Sequence, residues 1–323
     1  MRIFRCSVLQ IVLLAPIAPA TVLAGTPSPT AAALQRLHEL RPSRMGVDRH
    51  GNLWTWNRTT GMTQWVSPAG ELRPGPVVPN ASAVDIDSEW GVVALSGTGN
   101  ELLCLPADGG VAQSTPLTDQ AGFVAWVGAK TVAISPTLAD HRVEIWDVGT
   151  RQVVFTIGDE AAIKPRLGAV MARSVLLHFD YKRERLATLE AWSGDFQVFN
   201  LGGKLIYRST LSVPDRERES VLAWLQQSDR NARAAGETRT PSVRYFNDFT
   251  IDSNGTAWVV GERSASRDRT TFLMVRDGGA IERVTVQNGN CAAPQVTSWG
   301  GWLIQYSDAA SPAAPCVEER RSP

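Results

Sequence analysis

The chain has 323 residues, of which 43% are hydrophobic, and it carries 32 basic and 32 acidic side chains. This length allows one sizeable domain with its own core. The charge balance argues against a nucleic-acid-binding protein, because such proteins present a strongly basic surface.

Residues 1–24 have the pattern of a secretory signal peptide. Arg2 and Arg5 precede an apolar run that extends to Ala24, where small residues suit cleavage. A membrane anchor fits less well, because Pro16 and Pro19 interrupt a run that is already short for a bilayer. The sequence predicts a secreted or periplasmic protein whose mature chain has no membrane span.

Cleavage would remove one of the four cysteines and leave Cys104, Cys291 and Cys316. Exported proteins meet an oxidising environment. We expect a disulfide between Cys291 and Cys316, which flank the last apolar segment. Cys104 lies within an apolar run and is expected to be a buried small hydrophobe rather than a nucleophile.

The mature chain is predicted to start with a leader, 25–42, that contains a short helix over 31–40. Leu34, Leu37 and Leu40 recur at helical spacing, and Pro42 ends the pattern. The remainder, 43–323, is expected to form a β-domain.

A short motif recurs through this β-domain: an apolar residue is followed four positions later by glycine. These glycines are Gly70, Gly109, Gly149, Gly203 and Gly279. Around each lies a unit of about four short strands, and a sixth, incomplete unit comes after them. The units span 45–78, 83–117, 122–157, 175–211 and 245–286, and the sixth covers 296–306 and 316–319.

A single unit of this kind is too small to be stable alone, and radial packing of repeated units buries both faces of each sheet. We therefore predict an all-β fold, a β-propeller of about six blades. An open sandwich or a two-domain β-protein explains the recurring turn less well. The segment 214–236 breaks the repeat and is predicted to be an inserted amphipathic helix. It would serve as a cap on the domain or as a lid that docks a partner.

Two turns resemble those of known propeller families. Asp48, Gly51 and Trp54, like Asp252, Gly255 and Trp258, resemble the D-x-x-G-x-x-W turn of regulator-type and NHL-type repeats. The sequence Ile-Trp-Asp at 145–147 resembles the strand end of WD40 repeats. The resemblance implies a propeller fold and, for these turn residues, structural roles.

Two constellations are candidates for chemistry. His178 and Asp180 lie two residues apart and are candidates for a base with its orienting acid, with a structural histidine as the alternative. Asp85, Asp87 and Glu89 alternate and are candidate ligands for Ca²⁺, with a solvated turn as the alternative. The chain contains no cofactor-binding motif, so no cofactor is expected.

Eleven tryptophans are many for this length. Rings at a propeller mouth stack on sugars or peptides. Four are the candidates for binding: Trp56, Trp192, Trp224 and Trp299.

The sequence thus favours an exported propeller that recognises a protein, peptide or glycan partner through its face loops. The alternative is a hydrolase or lyase with its site at the central channel. A third possibility is a structural subunit of an envelope assembly.

Overall fold

The computed structural model describes most of the domain. The described residues are 30–40, 42–108, 110–137, 139, 141–158, 174–191, 193–212, 223, 227, 230–231, 234, 236, 246–263, 269–287, 295–307 and 316–321. The predicted signal peptide lies outside them and remains a prediction.

One short helix, α1, precedes the strands and spans Ala31–Leu40, as predicted. Six sheets come after it in chain order, and we number them as blades 1 to 6. Blade 1 contains β1 (Arg44–Val47), β2 (Leu53–Trp56), β3 (Met62–Val66) and β4 (Leu72–Val77); blade 2 contains β5 (Ala81–Asp87), β6 (Gly91–Ser96), β7 (Glu101–Leu105) and β8 (Gln113–Pro116). Blade 3 contains β9 (Ala121–Gly128), β10 (Thr131–Pro136), β11 (Val143–Asp147) and β12 (Gln152–Ile157); blade 4 contains β13 (Val175–Asp180), β14 (Arg185–Glu190), β15 (Asp195–Asn200) and β16 (Leu205–Thr210). Blade 5 contains β17 (Phe249–Ile251), β18 (Ala257–Arg263), β19 (Arg269–Val275) and β20 (Ile281–Gln287); blade 6 contains β21 (Gln295–Trp299), β22 (Trp302–Ser307) and β23 (Cys316–Arg321).

Each sheet is an antiparallel meander whose strands pair in chain order. The first strand of every sheet is innermost, and these strands contact each other in the ring β1, β5, β9, β13, β17, β21 and back to β1. The all-β propeller is confirmed, because the blades surround a central channel.

The expected number of about six blades needs correction. Five sheets have the complete four strands, whereas blade 6 has three among the described residues. The structure therefore shows five complete blades, and the ring is closed by a three-stranded sheet.

The recurring glycine lies in the turn between the third and fourth strands. Gly70, Gly203 and Gly279 have φ angles of 92°, 77° and 94°. Glycine occupies this left-handed region without the steric penalty of a Cβ atom. In blade 3 the left-handed residue is Arg151, at φ 59°, rather than Gly149. Gly109 lies outside the described residues.

The core consists of apolar side chains packed between neighbouring blades. The largest cluster joins residues of blades 3, 4 and 5. Helix α1 completes the ring at its junction, because Ala33 and Leu37 are buried against Leu53 of blade 1 and Trp299 and Ile304 of blade 6.

Of the segment 214–236, the structure describes six residues. Residues 223, 227, 230, 231 and 234 are helical and exposed, and so the predicted amphipathic insertion stays a prediction. Within the described part of the chain, no helix has the length and apolarity needed to cross a bilayer.

Candidate functional site

The six innermost strands end on one face of the ring, which we call the turn face because it carries the turns between first and second strands. A cavity of about 750 Å³, here called the mouth cavity, opens there at the end of the channel. Charged, aromatic and aliphatic side chains from several turns line it. Among them are Asp48, Arg49, His50, Trp90, His178, Asp180, Tyr181, Lys182, Glu184, Leu201 and Asp252.

The local sequence explains the shape of these turns. The Oδ1 atom of Asp48 accepts hydrogen bonds from the amides of His50 at 2.9 Å and Asn52 at 2.8 Å. Asp252 accepts from Asn254 at 2.9 Å and Thr256 at 3.0 Å in the same way. A carboxylate that bonds the amides of its own turn fixes the backbone there. The D-x-x-G turns therefore have the structural role that the resemblance implied.

In two further turns an aspartate also accepts hydrogen bonds from the backbone amides of its own turn, although these turns lack the D-x-x-G-x-x-W motif. Asp87 accepts from the amides of Glu89 at 2.9 Å and Trp90 at 3.0 Å. Asp180 accepts from the amides of Lys182 and Arg183 at 3.1 and 3.2 Å. An aspartate at the end of the innermost strand was the sequence signal for both turns.

The turns are also linked from blade to blade. Arg49 of blade 1 forms ion pairs with Asp87 and Glu89 of blade 2, and His50 Nε2 lies 3.2 Å from Glu89 Oε2. Between blades 4 and 5, Arg183 Nη2 donates to the carbonyl of Ser253 at 3.2 Å. These links hold the walls of the mouth cavity in place before any ligand arrives.

An aromatic contact across the channel forms part of the lining of the mouth cavity. The Tyr181 ring of blade 4 lies 6.1 Å from the Trp90 ring of blade 2, measured between centroids. Trp90 also packs edge-on against Trp126 at 6.0 Å, and the Arg49 guanidinium lies 4.4 Å above it. Burial raises the pKa of Tyr181 well above its usual value, so the phenol stays neutral.

A second cavity, here called the axial cavity, lies deeper in the channel and has a volume of about 40 Å³. It shares His178, Phe179 and Tyr181 with the mouth cavity, so the two are adjacent. Four ionisable side chains other than tyrosine line it: Arg44, Asp85, His178 and Asp248.

Burial shifts the pKa of two of these groups in opposite directions. It raises the pKa of Asp85 to about 7, against the effect of amide hydrogen bonds and of Arg44. It lowers the pKa of His178 to about 4, although the charge of Asp180 acts the other way. Burial disfavours whichever form is charged, and so His178 is neutral at pH 7.

His178 and Asp180, the candidate base and its orienting acid, both line the mouth cavity. The Asp180 carboxylate, however, is bound by the amides of its turn and by Arg183 Nη1 at 3.0 Å. No hydrogen bond joins Asp180 to His178 in the described structure. Asp180 therefore shapes the turn, and no carboxylate among the described residues hydrogen-bonds to His178.

The proposed calcium ligands do not converge. Asp85 Oδ2 accepts from the amide of Trp126 in the next blade at 2.7 Å, while Asp87 bonds its own turn and Glu89 pairs with Arg49. Within the described residues, no group of three His, Cys, Asp or Glu side chains is arranged to hold a metal ion.

The tryptophan candidates fall into two groups. Trp56 and Trp299 are buried, and their Nε1 atoms donate to the carbonyls of Val78 and Gly51 at 3.3 and 2.9 Å. Both belong to the core, which corrects the expectation that they stack on a ligand. Trp192 and Trp224 lie outside the described residues.

The cysteine pairing also falls outside the described residues, because Cys291 is not among them. Cys104 is free and half-buried, and burial raises the pKa of its thiol to about 11. A thiol of this kind is a poor nucleophile at neutral pH.

Sequence reasoning missed the residues that line the channel from separate blades. Tyr181 directly follows Asp180, and Trp90 belongs to the turn that begins at Asp87. These aspartates were the signal that the sequence offered for the two aromatic residues. The contact between these two rings cannot be predicted from the sequence of one repeat unit. The sequence also gave no indication that Arg44 and Leu201 line the channel.

Comparison with known proteins shows the fold. No family model and no curated protein matches the sequence. Among solved structures, a virginiamycin B lyase from Staphylococcus aureus matches with a TM-score of 0.51 and 11% identity, covering 82% of this chain and 76% of that one. A catalytically inactive form of that lyase with quinupristin matches with a TM-score of 0.52 and 12% identity over 87% of this chain and 84% of that one.

A further β-propeller domain matches as well. The β-propeller domain of Cps50 (Swd1) from Myceliophteria thermophila has a TM-score of 0.53 and 9% identity, covering 87% of this chain and 97% of that domain. Each of these is a structural likeness at low identity, and together they confirm a β-propeller.

Proposed function

We propose that this protein is an exported, ligand-binding β-propeller that recognises a protein, peptide or glycan partner at the mouth cavity. The observation that carries the proposal is the cavity itself, which lies where all six innermost strands end. Its volume of about 750 Å³ is in the range of ligand sites, roughly 300–1,000 Å³.

The lining suits a polar ligand with some apolar surface. Lys182, Glu184 and His50 are exposed at the mouth and can bond or pair with a ligand. Tyr181, Trp90 and Leu201 add apolar area. Because the turns are cross-linked between blades, little ordering entropy would be lost on binding.

The two strands that flank the segment 214–236 open toward the face opposite the mouth cavity. The chain leaves β16 and enters β17 on the face where innermost strands begin, whereas the mouth cavity lies where they end. The proposal therefore places primary recognition at the mouth, and any docking by 214–236 would be a separate contact.

The experiment compares two leucines of blade 4 that are equally exposed. Leu201 lines the mouth and is 42% exposed, while Leu205 on the outer strand β16 is 45% exposed. Immobilised protein would be challenged with envelope extract and with arrays of envelope peptides and glycans. Leu201→Arg should abolish retention of the ligand, and Leu205→Arg should keep it.

Equal retention by both variants would refute the mouth as the binding site. Deleting 214–236 tests the insertion in the same assay. If the deletion abolishes retention of the ligand and Leu201→Arg does not, the binding site lies on the opposite face.

A lyase or hydrolase acting at the channel is the second candidate. Two observations favour it: His178 reaches the mouth cavity, and the virginiamycin B lyase structures share the fold. The low pKa of His178 makes it a weak base, however, and Asp180 is committed to its turn. Incubation with quinupristin, followed by chromatography, tests this candidate. Conversion that disappears in His178→Ala would establish it.

A further inference from the structure

The Arg44 side chain lines the axial cavity, and among the described residues its guanidinium has no hydrogen-bond or ion-pair partner. Its charge lowers the pKa of both Asp85 and His178, so it lies near both. The Phe123 ring, 5.7 Å from the guanidinium carbon, packs beside it.

The two acids that line the cavity are engaged elsewhere. Asp85 accepts from the amides of Trp126 at 2.7 Å and Ile86 at 3.0 Å. Asp248 Oδ2 accepts from the amide of Val296 at 3.0 Å. Trp126 and Val296 belong to the innermost strand of the following blade. Both acids therefore satisfy amides between blades rather than form an ion pair with Arg44.

The remaining polar groups around the cavity carry no charge. His178 is neutral above about pH 4, and the Tyr181 phenol is neutral because burial raises its pKa. Within the described structure, neither the imidazole nor the phenol has a hydrogen-bond partner. Both can donate to an anion held by the guanidinium.

We propose that the axial cavity is a binding site for a small carboxylate, held by Arg44 with help from His178 and Tyr181. A guanidinium in a partly buried site needs an acceptor, and its planar fork matches the two oxygens of a carboxylate. A volume of about 40 Å³ holds ~3 water molecules, which is also enough for formate or acetate. The inference goes beyond the proposed function, since it concerns a second cavity and requires no macromolecular partner.

The test uses the purified mature chain with sodium acetate and sodium formate at constant ionic strength. Binding of acetate is followed through its methyl protons by saturation-transfer NMR, with acetamide as the uncharged control. We expect saturable binding of acetate and none of acetamide. Arg44→Gln should weaken binding at least tenfold, and Arg44→Lys should give an intermediate loss because the bidentate fork is gone.

The matched control is Arg276→Gln, since Arg276 is exposed and lies outside both cavities. Its affinity for acetate should equal that of the wild type. Absence of acetate binding to the wild type, or equal binding by Arg44→Gln, would overturn the proposal. If Arg44→Gln does not fold, wild-type crystals grown in formate decide: planar density against Arg44 supports the site, and water alone there overturns it.

Discussion

Tyr181 and Trp90 pack against each other with ring centroids 6.1 Å apart, although they belong to blades 4 and 2. Blade 3, which lies between them, has a two-residue turn formed by Ala129 and Lys130. The contact therefore crosses the channel over a short turn. Trp90 lines the mouth cavity, and Tyr181 lines both the mouth cavity and the axial cavity.

Replacing this ring should lower stability. Tyr181→Ala removes packing against Trp90 and Phe179, and we expect a loss of about 2–4 kcal/mol in the free energy of unfolding. Tyr181→Phe should lose under about 1 kcal/mol, because the hydroxyl has no hydrogen-bond partner among the described residues. Urea unfolding measures both. Similar losses in the two variants would show that the hydroxyl, rather than the ring, stabilises this contact.

A buried ion pair joins blades 3 and 4. Arg142 and Asp195 are both buried and in contact, and Arg208 Nε donates to Asp195 Oδ1 at 2.7 Å. Asp195→Asn removes the buried carboxylate that both arginines contact, which should cost about 3–5 kcal/mol. Asp277→Asn, which breaks the exposed pair with Arg185, should cost less than about 1 kcal/mol. Thermal unfolding of the two variants compares them, and equal losses would contradict this assignment.

The two D-x-x-G-x-x-W turns differ at their tryptophans. Trp258 Nε1 donates to Asp252 Oδ2 at 2.9 Å. Trp54 is equally buried and packs over Gly46, but its Nε1 has no partner among the described residues. Trp258→Phe should therefore be more destabilising than Trp54→Phe by about 1.5–3 kcal/mol, the value of a hydrogen bond to a charged group. Chemical denaturation measures both losses, and equal losses would show that packing alone decides them.

His178 and Asp85 should make opposite contributions to stability between about pH 4 and 7. The pKa of His178 is lowered from 6.5 to about 4 by burial, so the unfolded chain binds the proton first and stability falls on acidification through this window. The pKa of Asp85 is raised from 3.8 to about 7, so its contribution is greatest below 3.8 and is lost as pH rises to 7. The two effects largely cancel in the wild type.

Single variants separate these contributions. Relative to the wild type, His178→Gln should become more stable as pH falls from 6.5 to 4. Asp85→Asn should become more stable, relative to the wild type, as pH rises from 4 to 7. Urea unfolding across this range provides the comparison, and a constant difference for either variant would show that its group titrates normally in the fold.

The repeat units could be predicted from the sequence more completely than the residues of the candidate site. Blade limits followed from local chemistry, since Asp48 and Asp252 fix their turns through hydrogen bonds within five residues. Gly70, Gly203 and Gly279 marked the third turn for an equally local reason. These interactions lie within one repeat unit, so the turns can be predicted from the sequence of that unit alone.

The site depends on relations between units. Asp85 and Asp87 alternate along a strand and should share a face, yet Asp85 bonds the next blade while Asp87 bonds its own turn, because the strand ends at Asp87. The buried Trp299 indole donates to the carbonyl of Gly51, which is 248 residues away in the chain. Neither relation is visible in the local pattern.

The central claim, that a partner binds at the mouth cavity, is tested most directly by photo-crosslinking. The photoreactive residue p-benzoylphenylalanine would replace Leu201 at the mouth or, as the control, Val154 on the outer strand β12, which is 58% exposed. Irradiation in the presence of the captured partner should give a crosslinked product from position 201 and none from position 154. Products from position 154 alone would place the partner on the outer edge of the ring and contradict this account.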